Sequence, residues 1–145
     1  MSFFHVRLQN SPEDFLLLHP LNPETELSDY TCFEADIHWY FCGQCGVRCF
    51  AFNGQSEVRE VEVDWDGKGK EEKGHEVKVW SAKREGWEEA KTGYLSVNAA
   101  TLDHDQEGLD LREWHEKGWI AYLEIKSPDG SGETRLREPH EGGMY

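Results

Sequence analysis

The chain has 145 residues, 37% of them hydrophobic and 12% aromatic, and 29 acidic residues against 15 basic give a formal net charge of -14. That length suits a single domain over 1–145 with its own core, and the heavy aromatic content supplies much burial area per residue for a β-rich fold. The acidity argues against nucleic acid, whose phosphates need a basic surface, and against anionic membrane surfaces.

No apolar run reaches the ~18 residues of a membrane span. The start, Met1 to Leu8, lacks the basic and long apolar regions of a signal peptide. A cytoplasmic protein with reduced cysteines is expected.

The elements follow in chain order. Phe4, Val6 and Leu8 alternate with Phe3, His5 and Arg7, which predicts a strand almost at the first residue. Such an abrupt start reads as the middle of a domain. Ser11-Pro12-Glu13-Asp14 reads as a turn or helix start leading into Phe15 to Leu18, and His19 to Pro23 as a loop. Residues 27–41 predict two short strands with a turn near Glu34-Ala35-Asp36. Val47 to Phe52 and Val58 to Trp65 read as strands. The run Asp66 to Gly74 (DGKGKEEKG) reads as a charged, flexible loop. Glu76 to Trp80 and Gly93 to Ala99 are further strands, with one helical turn expected over Trp87 to Lys91. Leu109 to His115 predicts a short helix with Asp110 near its start, and Trp119 to Lys126 a last strand. The tail, 127–145, reads as flexible.

One motif carries chemistry by itself. In Phe41-Cys42-Gly-Gln-Cys45-Gly46 the C-x-x-C spacing aims two thiolates at one point, and the glycine lets backbone N–H groups turn toward the sulfurs. Zinc needs four ligands. Cys42 and Cys45 are therefore half a metal site, with Cys32, Cys49, His38 or a second subunit left to complete it. Read blandly, Cys49 and Cys32 are small buried hydrophobes.

The segments Tyr40-Phe41-Cys42 through Cys45-Gly46-Val47 to Cys49-Phe50, then Leu95-Ser-Val-Asn-Ala-Ala-Thr-Leu-Asp103, then Asp110 to Tyr122, resemble the glutathione-dependent formaldehyde-activating enzyme (GFA) and centromere-protein-V superfamily, most of all a fungal branch. The resemblance spans roughly residues 3 to 125. It implies a β-tent fold of short antiparallel sheets with one or two short helices. It also implies a carbon–sulfur lyase ancestry and a structural zinc on an early C-x-C pair plus Cys42 and Cys45. The family's C-x-C and C-x-C-x-x-C motifs are not present here, so the catalytic zinc is not carried over.

Acid–base chemistry on other side chains is then the expectation. A lyase- or isomerase-type enzyme would carry out dehydration, isomerisation or cyclisation of a small molecule in fungal secondary metabolism. The alternatives are a non-catalytic interaction domain that keeps the fold, or an ordinary zinc-dependent lyase whose missing cysteines lie upstream. Catalytic candidates are His5 and Arg7 on the polar face of the first strand, His38 before the knuckle, Asp103 after the SVNAATL strand, and His115 between Trp114 and Trp119. Their bland readings are a solvated strand face, a surface histidine, a turn cap and aromatic packing. An unpaired first-strand edge would favour a homodimer.

Overall fold

The computed structural model describes residues 4–31, 34–64, 74–89, 91–103, 106, 108–118, 120, 122–124, 135–136 and 143–144. Cys32, Trp119 and residues 66–73 of the charged loop therefore lie outside the described residues. The contacts gather in two compact units, His5–Thr101 and Met1–Phe4 with Leu102–Tyr145. The protein is mostly β, with antiparallel sheets and three short helices among the described residues. No described helix is long and apolar enough to cross a membrane.

The first unit holds a five-stranded antiparallel sheet built from β1 (His5–Arg7), β2 (Ser28–Thr31), β3 (His38–Phe41), β4 (Arg48–Asn53) and β7 (Tyr94–Asn98), in the order β1-β7-β4-β3-β2. A hairpin of β5 (Ser56–Val63) and β6 (His75–Ala82) forms a second sheet. Period-two alternation decides what each face carries. Leu95, Phe50, Phe52 and Tyr40 point to one face and meet Trp80 and Ala82 of β6 in the buried core. The rings interlock, with Phe50 5.6 Å and Phe52 5.1 Å from Trp80 between centroids.

Two helices are single turns begun by proline-containing runs. In α1 (Ser11–Asp14) the Asp14 carboxylate reaches back to accept from the Asn10 N–H at 2.8 Å, and in α2 (Pro23–Glu26) Glu26 does the same for Asn22 at 3.2 Å. The helix does not continue into Phe15–Leu18. Leu17 instead exchanges both backbone hydrogen bonds with Trp80, each 2.9 Å, and so extends the hairpin sheet by one bridge. Pairing with an open strand edge outweighs the helical preference of a leucine run. Residues 87–89 form no helix either. The N–H groups of Lys91 and Thr92 close a turn onto the Glu88 carbonyl.

On the other face of β6, Ser81 is buried beneath α1. Arg59 of β5 ties the layers by donating to Ser81 Oγ at 3.1 Å and to the Pro12 carbonyl at 2.8 Å.

The second unit contains α3 (Leu111–Glu116) and a three-stranded sheet of β8 (Tyr122–Glu124), β9 (Arg135–Leu136) and β10 (Gly143–Met144), ordered β10-β8-β9. Asp110 caps α3 by accepting from the Arg112 N–H at 2.9 Å. The Arg112 side chain and that N–H hold the Asp110 carboxyl down to about 2. The tail, read as flexible from its lack of periodicity, supplies β9 and β10. Two-residue strands are too short to show alternation.

Candidate functional site

The knuckle forms as its spacing predicts. Cys42 N–H donates to the Val47 carbonyl at 2.9 Å, and Gly46 N–H donates to the Cys42 carbonyl at 2.8 Å. Gly46 adopts the left-handed backbone the turn needs, with φ 74°. The N–H groups of Cys45 and Gln44 and the Cys45 thiol aim at the Cys42 sulfur and lower its pKa. Cys49 behaves oppositely, its thiol pushed up by burial against the core.

A β-bulge explains that burial. The β3–β4 register skips Cys49 at the Tyr40/Phe41 step and pairs Phe41 with Arg48. The extra residue turns Cys49 toward the core and Arg48 to the opposite face, where its guanidinium lies 5.7 Å from the Tyr30 ring centre. Among the described residues no group of three His, Cys, Asp or Glu side chains converges as a metal site. The described donors are thus two of the four a tetrahedral zinc needs, and they do not make up a zinc site.

The chemistry concentrates on the face of the five-stranded sheet that points away from Trp80. Registers His5↔Asn98 and Arg7↔Ser96 between β1 and β7, and Ala51↔Ser96 and Asn53↔Tyr94 between β4 and β7, put His5, Arg7, Tyr94, Ser96 and Asn98 on that face. Trp39 and Tyr30 join them from β3 and β2. The floor is made of small residues. Ala51 and Ser96 are fully buried, Ser96 on the strand beside that of His5 and Ala51 on the strand beside that of Trp39. His5 and Trp39 lean toward each other across them, meeting edge to face at 5.1 Å. Tyr30 stacks on Trp39 at 6.0 Å.

Within this face lies a three-member hydrogen-bond network. Ser96 Oγ is 3.0 Å from His5 Nδ1, and Tyr94 donates its hydroxyl proton to Ser96 Oγ at 3.1 Å. The Tyr94 oxygen is also 3.3 Å from His5 Nδ1. With Nδ1 as acceptor, all three groups are satisfied by one consistent direction of donation, Tyr94 to Ser96 to His5. His5 is exposed along one side, yet its Nδ1 end is shut in by Ser96, Tyr94 and Trp39. That loss of water lowers the imidazole pKa, and the charge of Arg48 lowers it further. At neutral pH the ring is uncharged and able to take a proton.

Tyr94 also lines a cleft of about 580 Å³ at the end of β4 and β7, together with Asn53, Lys83, Trp87 and Thr92. The wall is fixed by close packing. Trp87 Nε1 donates to Ser11 Oγ at 3.1 Å, and Ser11 donates to the Gly93 carbonyl at 2.6 Å. Gly93 has φ 64°, and an added Cβ there would lie 2.7 Å from Trp87 Cδ1. His38 is at the rim of the same cleft, its Nδ1 2.6 Å from the Asp29 carboxylate and its ring stacked at 6.0 Å on Tyr40.

Of the residues predicted from sequence, the structure brings His5 and Arg7 into one cluster. It places His38 at the cleft rim and Cys42 and Cys45 in the knuckle. Asp103 is exposed and belongs to the other unit. His115 is exposed on α3, and Trp119, which flanks it in sequence, lies outside the described residues. Tyr94, Ser96, Trp39 and Arg48 were not legible as site residues, though the alternation Tyr94, Ser96, Asn98 against Leu95, Val97 marks a polar strand face. Comparison of the chain with family models, with curated proteins and with solved structures finds no match.

Proposed function

We propose that this chain is a cytoplasmic small-molecule enzyme working by acid–base catalysis, on a β-tent fold of GFA-like, carbon–sulfur lyase ancestry. The observation that carries the reading is the position of Tyr94, which both lines the cleft and is hydrogen-bonded to the Ser96–His5 pair. A carbonyl compound seated in the cleft gives up its α-proton to the Tyr94 oxygen. The Tyr94 proton passes to Ser96, and the Ser96 proton passes to the neutral His5 ring. Return of a proton at a neighbouring atom completes an isomerisation, and its return to a departing hydroxyl completes a dehydration.

Zinc enters this reading only as a structural ion on Cys42 and Cys45, with donors from Cys32 or a second chain in a homodimer, and takes no part in the proton transfer. The acidic surface sets no nucleic acid or membrane partner beside the small-molecule substrate.

The test is α-proton exchange in D2O, followed by NMR, on a panel of pyruvate, oxaloacetate, acetone and cyclohexanone. The wild-type chain accelerates exchange on at least one compound, and Tyr94→Phe reduces the acceleration by about 10²–10⁴-fold. No acceleration by the wild type, or equal acceleration by Tyr94→Phe, overturns the reading.

A further inference from the structure

The chain is strongly acidic, and the cations whose side chains are described are nearly all engaged. Apart from Arg7 and Arg48, every lysine and arginine whose side chain is described lies within ion-pair distance of a carboxylate, from Arg59 beside Glu13 to Lys117 beside Glu113. Arg7 and Arg48 have no carboxylate partner among the described residues. With 29 acidic residues in the chain, two such arginines on one sheet face are not what indiscriminate surface pairing would leave.

Their placement is specific. Each guanidinium is held by an aromatic ring, Arg7 at 5.4 Å from the Tyr94 ring centre and Arg48 at 5.7 Å from that of Tyr30. Such stacking orients the planar fork while leaving its N–H groups for a ligand. In the register Arg7 is opposite Ser96 and His5 is opposite Asn98, whose side chain donates to the Arg48 carbonyl at 2.9 Å. Arg7 thus lies toward the Tyr94 end of the network and Arg48 toward its His5 end. Arg48 reaches this face only through the bulge that skips Cys49.

A charge of -14 repels anions at long range, but screening confines that repulsion to within about 8 Å at physiological ionic strength. Inside the site the two local guanidinium groups decide. Planar, bidentate donors favour a planar oxyanion.

We infer that the sheet face carrying the Tyr94–His5 network binds a small carboxylate through the guanidinium groups of Arg7 and Arg48. The inference rests on the acid–base reading for the location of the site, and it concerns binding alone.

It is tested by calorimetric titration of the full chain with malonate, with malonamide and with inorganic phosphate. Malonate binds, malonamide does not, and phosphate binds more weakly than malonate. Arg7→Gln and Arg48→Gln each weaken malonate about tenfold or more, and Arg48→Lys, which keeps the charge but loses the fork, falls between. Malonate binding and α-proton exchange are measured separately on the wild-type chain, so a failed acid–base reading and a failed carboxylate site give different results. Equal binding of malonate and malonamide, tighter binding of phosphate, or arginine variants that bind as the wild type does would each overturn the inference.

Discussion

Replacing Gly93 by alanine tests how the cleft wall is held. Gly93 has φ +64°, and a Cβ built on it would sit 2.7 Å from Trp87 Cδ1 and 3.2 Å from both Trp87 Nε1 and Ser11 Oγ. The left-handed backbone alone costs an alanine about 1 kcal/mol. The contact with Trp87 is closer than carbon atoms tolerate, so the indole must move. Moving it breaks the 3.1 Å bond from Trp87 Nε1 to Ser11 Oγ, a further loss of about 1 kcal/mol.

Gly93→Ala should therefore destabilise the chain by about 2–3 kcal/mol. Gly86→Ala is the matched control. Gly86 has φ +77° but nothing within 4 Å of its would-be Cβ, so it carries the backbone penalty alone, about 1 kcal/mol. Urea unfolding followed by tryptophan fluorescence measures both. If Gly93→Ala costs no more than Gly86→Ala, the packing of Gly93, Trp87 and Ser11 does not hold the wall and the reasoning fails.

Other outcomes follow from the same geometry. Leu95 is fully buried in the ring cluster with Phe50, Phe52 and Trp80, and Leu95→Ala should cost about 2–5 kcal/mol in urea unfolding; a cost below 1 kcal/mol would refute that core. His5 has its pKa lowered from 6.5 by loss of water and by Arg48, so the unfolded chain binds the proton first. Stability should fall as pH drops below 6.5 and level off below the folded pKa in the wild type, and His5→Gln should lack this slope; parallel curves for the two would contradict it. Backbone N–H groups favour the Cys42 thiolate while burial disfavours that of Cys49. Iodoacetamide at pH 7.5 should therefore label Cys42 before Cys49 by mass spectrometry, and the reverse order would count against the knuckle geometry.

Much of the fold can be read along the chain, because alternation of the Tyr94-Leu-Ser-Val-Asn98 kind survives wherever one face is buried. The strands over 28–31, 38–41, 48–53 and 94–98 lie where periodicity puts them. What could not be read depends on partners distant in sequence. Phe15 to Leu18 looks helical by composition, yet Leu17 is captured by Trp80, 63 residues later. The candidate site divides in the same way. His5 and Arg7 announce themselves on a polar strand face, but the value of His5 comes from Ser96, 91 positions away. Arg48 reads as one more charge beside the knuckle, because the bulge that turns it toward Tyr30 is a matter of strand register, not of residue type.

Proton transfer at Tyr94 depends on the direction of hydrogen bonding from Tyr94 through Ser96 to His5. Ring ¹⁵N NMR of His5 measures it without any substrate. At pH 7 the ring should be neutral, with its proton on Nε2 and Nδ1 acting as acceptor, and Ser96→Ala should shift the Nδ1 resonance. A protonated ring at pH 7, or a proton on Nδ1 that Ser96→Ala leaves unmoved, would contradict it.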